Sequence, residues 1–217
     1  TITDAALARF KNCKSLKGLD LDLTASPVTN AGLAHFNGCQ QLTSLVLRGS
    51  QHVTDAGLAH FQDRDLTRLV LHSELMTNVG LETFRHCKNL KDLDLNMSQA
   101  TDTGAAVFKD CSLIHLTLRS NNITDAGASH FKGITTLHRL ALLDTQVTNA
   151  CLANFYNCTN LKTLWLNGSE PITGSGISRF TKLAFLKLNS TSITDVELSQ
   201  LNEMKWLSEL NVTDTKV

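Results

Sequence analysis

Histidine is the first residue type in this chain whose spacing bears on chemistry. His35, His60 and His130 share one place in a recurring stretch, which reads Leu-Ala-His-Phe in two copies and Ala-Ser-His-Phe in the third. Other copies of the stretch carry different polar residues at that place: Asn154, Arg179 and Gln200. A metal site needs ligands that converge on one point with a defined geometry. We therefore predict surface histidines here and no metal site.

The six cysteines show a similar regularity. Five of them lie three residues after a recurring phenylalanine: Cys13, Cys39, Cys87, Cys111 and Cys158. Other copies hold Ile134 or Met204 at that place, so it behaves as an apolar core position, where a free cysteine acts as a small hydrophobe. Cys-x-x-Cys pairs, the usual mark of zinc binding, do not occur in the sequence. We expect these five thiols to be buried and reduced.

The sequence shows no pattern of a known catalytic centre. Gly-x-Ser-x-Gly, His-Glu-x-x-His, phosphate-binding and dinucleotide-binding motifs do not occur. The Gly174-Ser175-Gly176 run lies where other copies of the repeat have a helix, so we interpret it as a variant of that helix. The sequence therefore predicts no catalytic residues, no cofactor and no enzyme.

The overall charge argues against two classes of partner. The 217 residues carry 20 basic and 20 acidic side chains, so the formal net charge is zero. A neutral chain has no bulk attraction for nucleic acid or for an anionic membrane. No apolar run approaches the length that spans a bilayer. We expect a monomer that binds neither nucleic acid nor membrane, and a fragment of a longer chain.

These residues are positioned by an internal repeat. Copies begin at Ile2, Val28, Val53, Met76, Ala100, Ile123, Val147, Ile172 and Ile193, and Val217 begins a tenth. Successive starts are 21 to 26 residues apart. A period in the twenties is typical of a solenoid in which each copy is one supersecondary unit.

Each copy predicts one short helix and one strand. The first half reads Ile/Val-Thr-Asp/Asn-x-Gly-Leu-x-x-Phe, as in the copy from Val53. We expect Thr54 to cap that helix by accepting a hydrogen bond from a free backbone N–H. Asp55 then lies in the first turn, near the positive end of the helix dipole. The second half, Leu-x-x-Leu-x-Leu, predicts a strand because leucines two apart point to one face.

The nine copies resemble leucine-rich repeats. The Leu-x-x-Leu-x-Leu strand carries the resemblance along the whole chain, and the Thr-Asp-Ala-Gly-Leu helix with frequent cysteine resembles the cysteine-containing class, common in bacterial proteins that include secreted effectors. The resemblance implies an α/β solenoid of about nine repeats, a horseshoe with a parallel concave sheet and short convex helices. It also implies one leucine-rich-repeat domain over residues 1–217.

A polar residue follows each strand three places after its last leucine. The column reads Thr24, Ser50, Glu74, Ser98, Asn121, Thr145, Ser169, Thr191 and Thr215. Hydroxyl groups in this place can bond loop backbone that leaves the sheet. We interpret the column as structural and Glu74 as its odd member.

The residues between and just after the strand leucines face the concave side of the predicted sheet. They vary sharply between copies, and the fold requires neither Trp165 nor Phe185 among them. An apolar centre with a charged rim is typical of a binding hot spot. We predict a protein-binding site made of Trp165, Phe185, Leu143, Ala141, Lys187, Arg119, His115, Arg139, Arg68 and His72. Within this set the basic residues are expected to form a positive stretch. In the alternative interpretation, Trp165 lies flat on its neighbours and binds nothing.

Three functional hypotheses follow. The first is a non-catalytic module that binds a partner protein on its concave sheet, as a bacterial effector or adaptor in the cytoplasm of the bacterium or of a host cell. The second is the substrate-recognition domain of a larger enzyme such as a ubiquitin ligase. The third is a structural spacer, which an exposed Trp165 disfavours.

Overall fold

The computed structural model describes residues 2–217 and divides them into two compact units. Unit one spans residues 2–111 and unit two spans Ser112–Val217. Each unit is described by itself below. The expectation of one domain over residues 1–217 stays a prediction.

Unit one is a parallel sheet of four strands with short helices between them. The strands are β1 (Gly18–Asp22), β2 (Ser44–Ser50), β3 (Arg68–Ser73) and β4 (Asp92–Asn96), and each pairs with the next along the chain. The helices are α1 (Asp4–Leu7), α2 (Asn30–Ala34), α3 (Asp55–Leu58), α4 (Asn78–Leu81) and α5 (Asp102–Ala106). Single 3₁₀ turns extend three of them, at Ala8–Phe10, Ala59–Phe61 and Glu82–Phe84.

Unit two repeats the plan with five parallel strands. They are β5 (His115–Arg119), β6 (Arg139–Leu143), β7 (Thr163–Trp165), β8 (Phe185–Lys187) and β9 (Glu209–Asn211). The helical segments are α6 (Asp125–Ser129), the 3₁₀ segments Asn149–Phe155 and Ile177–Arg179, and α7 (Asp195–Ser199). The predicted parallel sheet with short helices is confirmed.

Leucines in register form the core of each unit. Leu45, Leu69 and Leu93 pair side by side in unit one and are fully buried. In unit two the equivalent stack is Leu116, Leu140 and Leu164, also fully buried. This burial confirms the repeat assignment. Burying each such side chain contributes about 1.5–3 kcal/mol.

The Thr-Asp and Thr-Asn pairs at the helix starts join neighbouring repeats. Asp55 accepts hydrogen bonds from the Thr77 backbone N–H (2.8 Å) and the Thr77 hydroxyl (2.7 Å). Asn30 forms two hydrogen bonds with Thr54. It accepts one from the Thr54 backbone N–H (3.0 Å) and donates one to the Thr54 hydroxyl oxygen (3.0 Å). Asp125 and Thr148 form the same pair in unit two. The sequence motif therefore serves contacts between copies as well as helix capping.

The predicted capping role of Thr54 is wrong, and the reason lies in this ladder. The Thr54 hydroxyl makes no cap hydrogen bond, because its oxygen accepts from the Asn30 amide instead. Thr77 faces an aspartate, so its hydroxyl donates to the carboxylate and its oxygen accepts from the Val79 N–H (3.1 Å). Capping by threonine thus depends on the acid or amide in the preceding copy.

The helix glycine of the motif leaves room for the same contact. A Cβ at Gly57 would lie 2.6 Å from Asn30 Oδ1 and 2.7 Å from Val53 Cγ1. In unit two Cys151 occupies this place, and its copy forms the 3₁₀ segment Asn149–Phe155 in place of an α-helix.

The cysteine column is a hydrogen-bonded ladder inside the core. The Cys87 thiol donates to the Arg64 carbonyl (3.0 Å), and in unit two the Cys158 thiol donates to the Ile134 carbonyl (2.9 Å). Both acceptors stand in the same column one copy earlier. Burial of Cys39, Cys87, Cys111 and Cys158 is confirmed. Cysteine in this column therefore satisfies loop backbone, which isoleucine and methionine cannot do.

Cys13 departs from the predicted burial. It is only half-buried, because among the described residues no earlier copy packs against its repeat. Phe10 in the same copy is 47% exposed, whereas Phe36 and Phe61 are buried. The first repeat thus leaves its apolar side open within residues 2–217.

The predicted polar column after the strands is structural only in part. Its members Ser50, Thr145, Ser169 and Thr191 are buried, whereas Thr24, Glu74, Ser98 and Asn121 are exposed. Ser50 pairs with Ser73, because β2 carries one extra residue between Arg48 and Ser50. Ser73 is buried and accepts from the Leu75 N–H (3.1 Å). Glu74 is therefore exposed and has no part in the hydroxyl column.

Candidate functional site

The predicted binding residues divide between the two units. Eight lie in unit two: His115, Arg119, Arg139, Ala141, Leu143, Trp165, Phe185 and Lys187. Arg68 and His72 lie in unit one. All ten stand on the face of their sheet that is opposite to the stacked leucines, which we call the open face. Their role in binding stays a prediction.

In unit two the strand register brings the predicted centre together. Trp165 on β7 lies beside Ala141 on β6 and Lys187 on β8. One step along the strands, Thr163 lies between Arg139 and Phe185. Parallel strands about 4.8 Å apart bring these side chains within contact of one another.

Trp165 lies between two cations. The Arg139 guanidinium carbon and the Lys187 ammonium are each 4.9 Å from the centroid of its ring. A cation over an aromatic face is attracted by the negative face of the π system. These neighbours leave Trp165 half-buried, so the expectation of an exposed Trp165 is corrected. The side chain is held in place before any partner arrives.

Phe185 supplies the exposed apolar surface of this group. Its side chain is 42% exposed. Ala141 and Leu143 lie on the same face but are buried, because larger side chains of the neighbouring strands cover them. These two residues therefore offer little accessible surface to a partner.

Two of the basic residues around Trp165 are already paired. Arg119 Nε lies 3.3 Å from Asp144 Oδ2, and Lys187 Nζ lies 3.3 Å from Glu209 Oε1. His115 is exposed on β5. The charge of the open face in unit two is thus weaker than its basic residues alone suggest.

An amide ladder runs beside Trp165, and its direction is fixed at one end. Asn211 Oδ1 accepts from the Thr213 backbone N–H (3.0 Å), which can only donate, so this atom is an oxygen. Asn189 must then donate to it (2.8 Å), and Asn167 must donate to Asn189 (3.0 Å). Each amide oxygen therefore points towards the preceding repeat.

The ladder ends at a buried acceptor. Asn167 Oδ1 is buried and accepts no hydrogen bond from the described residues, and the buried Trp165 Nε1 likewise donates none to them. Leu143, the neighbour of Asn167 in the preceding repeat, has no polar side-chain atom to offer. A buried polar group without a partner costs about 1–3 kcal/mol, so β7 and the loop that follows it carry this cost at two atoms.

In unit one the predicted positive stretch is neutralised. Arg48 Nη1 lies 2.8 Å from Asp20 Oδ1, and Arg68 forms an ion pair with Asp92. His72 Nε2 lies 3.2 Å from Asp94 Oδ1 but forms no hydrogen bond with it. Strands in register place the acids of one copy next to the bases of another. Arg68 and His72 therefore contribute no free positive charge.

Ligand sets for metals are not found among residues 2–217, where no three histidine, cysteine or acidic side chains converge. His35, His60 and His130 are half-buried on their helices. Within the same residues no helix is long and apolar enough to cross a membrane.

Sequence reasoning missed two surface features. Trp206, in the loop before β9, is 70% exposed, and a comparison of its column would have shown a tryptophan among polar residues. A groove in unit one lies where β2 carries its extra residue. A single inserted residue in a variable loop gives no readable signal of a groove.

Comparison with known proteins agrees with this architecture. The chain is similar to an internalin C2 from Listeria monocytogenes at 25% identity and a TM-score of 0.70, over 98% of this chain and 84% of that one. It is similar to an internalin of the same species, inlF, at 17% identity and a TM-score of 0.56, over 100% of this chain and 71% of that one. It is also similar to a plant receptor-kinase leucine-rich-repeat ectodomain from Arabidopsis thaliana, at 15% identity and a TM-score of 0.59. The match covers 96% of this chain and 31% of that one.

The repeat itself is identified by its sequence pattern. No curated protein matches the chain significantly. The pattern of the BspA type leucine rich repeat region, in contrast, matches in six copies, over residues 3–138 and 57–173. The chain therefore belongs to the BspA-type leucine-rich-repeat family.

Proposed function

We propose that this chain is a non-catalytic module that binds a partner protein on the open face of its sheet in unit two. Leucine-rich repeats are typical of protein–protein interaction modules, and the plant ectodomain named above was solved in complex with Casparian strip integrity factor 2. The fold alone does not decide function. The observation that carries the proposal is therefore local.

That observation is the exposed Phe185 beside a Trp165 that two cations hold in place. The leucine core explains neither aromatic side chain, since both lie on the opposite face of the sheet. An aromatic side chain that is already held in place offers a large contact area at a low entropic cost on binding. Tryptophan and arginine are also the residues most enriched at binding hot spots.

The finer parts of the proposal concern biological setting. We propose a monomer in a reducing cytoplasm, that of a bacterium or of its host, acting as an effector or adaptor. Support comes from the buried thiols, since burial raises the pKa of Cys111 to about 11 and keeps it in the unreactive protonated form. The proposed setting also follows the bacterial character of the repeats.

Photo-crosslinking tests the binding face directly. Benzoylphenylalanine in place of Phe185 should capture a partner from lysate of the native host. The same group in place of Val196, which is 68% exposed on α7, should not capture it. Equal capture at both positions would count against the open face.

Affinity measurements with the captured partner complete the test. Trp165→Ala should weaken binding by about 2 kcal/mol or more, the range of a hot-spot tryptophan. Trp206→Ala is the matched control, because it removes a more exposed tryptophan outside the open face. If Trp165→Ala binds as well as Trp206→Ala, the proposed site is wrong.

A further inference from the structure

A groove of about 540 Å³ opens in unit one where the strands end. Its walls come from the ends of β2, β3 and β4 and from the loops that follow the strands. The lining residues are Thr24, Gly49, Ser50, Gln51, His72, Ser73, Glu74, Leu75 and Asn96. The site proposed above lies in unit two and includes none of these residues, so the groove is a separate feature.

The extra residue in β2 shapes this groove. The register between β2 and β3 shifts between Arg48 and Ser50, and Gly49 between them has φ +67°. A Cβ on Gly49 would lie 2.1 Å from Thr24 Oγ1, so the bulge needs glycine. Bulges are frequent beside functional sites because they redirect the chain and its side chains.

Glu74 is the group in the groove that the fold does not use. Ser73 takes the structural place in the hydroxyl column, and Glu74 is exposed beside it. Among residues 2–217 its carboxylate has no ion-pair partner. The adjoining Leu75 is 42% exposed. A free carboxylate therefore stands next to an apolar surface.

The surroundings of the groove are acidic. Asp22 accepts from the Thr24 hydroxyl (2.7 Å) and N–H (3.0 Å), which lowers the pKa of its carboxyl group and keeps it charged at neutral pH. Five carboxylates lie on the open face of unit one and in the groove: Asp20, Asp22, Glu74, Asp92 and Asp94. Two guanidinium groups, those of Arg48 and Arg68, and the His72 imidazole face them. The balance is negative, so this surface favours a cation.

We propose that the groove binds a lysine or arginine side chain of the partner protein. The cationic head group pairs with Glu74, and its aliphatic stem lies against Leu75. Hydroxyl and amide groups of the lining offer further oxygen acceptors to the head group. This inference rests on the proposed protein-binding function and adds the chemistry of one partner side chain.

Small peptides test the groove without any knowledge of the partner. The probes are acetyl-Gly-Lys-Gly-amide, acetyl-Gly-Arg-Gly-amide and the uncharged acetyl-Gly-norleucine-Gly-amide, titrated into ¹⁵N-labelled protein. The two basic peptides should give saturable shifts of the Gln51, Glu74 and Leu75 amide signals. The norleucine peptide should give none at the same concentrations.

Glu74→Gln is the decisive variant, because it keeps the shape of the side chain and removes its charge. The substitution should lower the affinity for both basic peptides at least about tenfold, as expected for loss of a charge-assisted pair. Glu82→Gln is the matched control, since Glu82 is an exposed carboxylate on the helical side of the same unit. It should bind the peptides as the wild type does.

Three results would overturn the inference: no saturable shift with either basic peptide, equal shifts with norleucine, or equal affinities of Glu74→Gln and Glu82→Gln. These outcomes are separable from failure of the proposed function. If Trp165→Ala no longer binds the captured partner and the wild type binds neither basic peptide, the proposed function is supported and the groove proposal is wrong. If the peptides bind but Trp165→Ala leaves the partner bound, the open face of unit two fails instead.

Discussion

The Arg139 guanidinium carbon lies 4.9 Å from the centroid of the Trp165 ring, and the Lys187 ammonium lies at the same distance. The three residues come from three adjacent strands, β6, β7 and β8. Lys187 is the register partner of Trp165, whereas Arg139 is the partner of Thr163, two residues earlier on the strand of the tryptophan. The tryptophan that the sequence marks as a partner contact is therefore also part of an ordered cluster in the free protein.

Removal of Arg139 should loosen this cluster. Arg139→Gln is expected to expose the Trp165 indole, to shift its fluorescence to longer wavelength and to increase quenching by acrylamide. The chain has two tryptophans, so the measurement uses a Trp206→Phe background. An exposed cation–π contact is worth about 0.5–1 kcal/mol, and stability should fall by no more than that. Unchanged emission and quenching would show that Arg139 does not order the ring.

The Asp-to-Thr ladder between repeats should be visible in stability. Asp55→Ala removes two hydrogen bonds to Thr77 and should lower the free energy of unfolding by about 1–3 kcal/mol. Asp55→Asn should cost less, because Asn30 already makes the equivalent bonds to Thr54. Urea unfolding of the two variants gives the comparison. Equal losses would mean that the ladder bonds carry no specific contribution.

The leucine stack gives the largest expected effect. Leu93→Ala leaves a cavity in a fully buried position and should cost roughly 2–5 kcal/mol in urea unfolding. Leu75→Ala is the control, because Leu75 is 42% exposed and its truncation should change stability by about 0.5 kcal/mol or less. Similar losses at both positions would contradict the repeat core.

The thiols should separate into two classes on alkylation at pH 8. Burial raises the pKa of Cys111 to about 11 and that of Cys151 to about 12. At pH 8 only about one Cys111 side chain in a thousand is therefore in the reactive thiolate form. Cys13 is half-buried and should react first. Mass spectrometry of the alkylated peptides reads the order.

Denaturation is the control for this experiment. In urea all six thiols should react at similar rates, because their common cause of protection is burial. Rapid labelling of Cys111 in the folded protein would contradict the buried ladder, in which its thiol donates to the Cys87 carbonyl (3.3 Å).

The sequence alone determined the repeat, its strands and its core, because those features depend on local spacing. Leucines two apart define one face of a strand, and nine in-phase copies can bury that face only by stacking. The placement of Trp165, Phe185 and their neighbours on the opposite face follows from the same alternation. Positions that depend on one copy and its period were therefore predictable.

Contacts between copies were decided only by the tertiary structure. Whether Thr54 caps its helix depends on Asn30 in the preceding copy, and whether Trp165 is exposed depends on Arg139 and Lys187 of the neighbouring strands. Ser73 takes the buried hydroxyl place that the spacing assigns to Glu74, and Glu74 lines a groove instead. Each of these outcomes depends on distances between atoms of different repeats, which residue spacing along one chain does not encode.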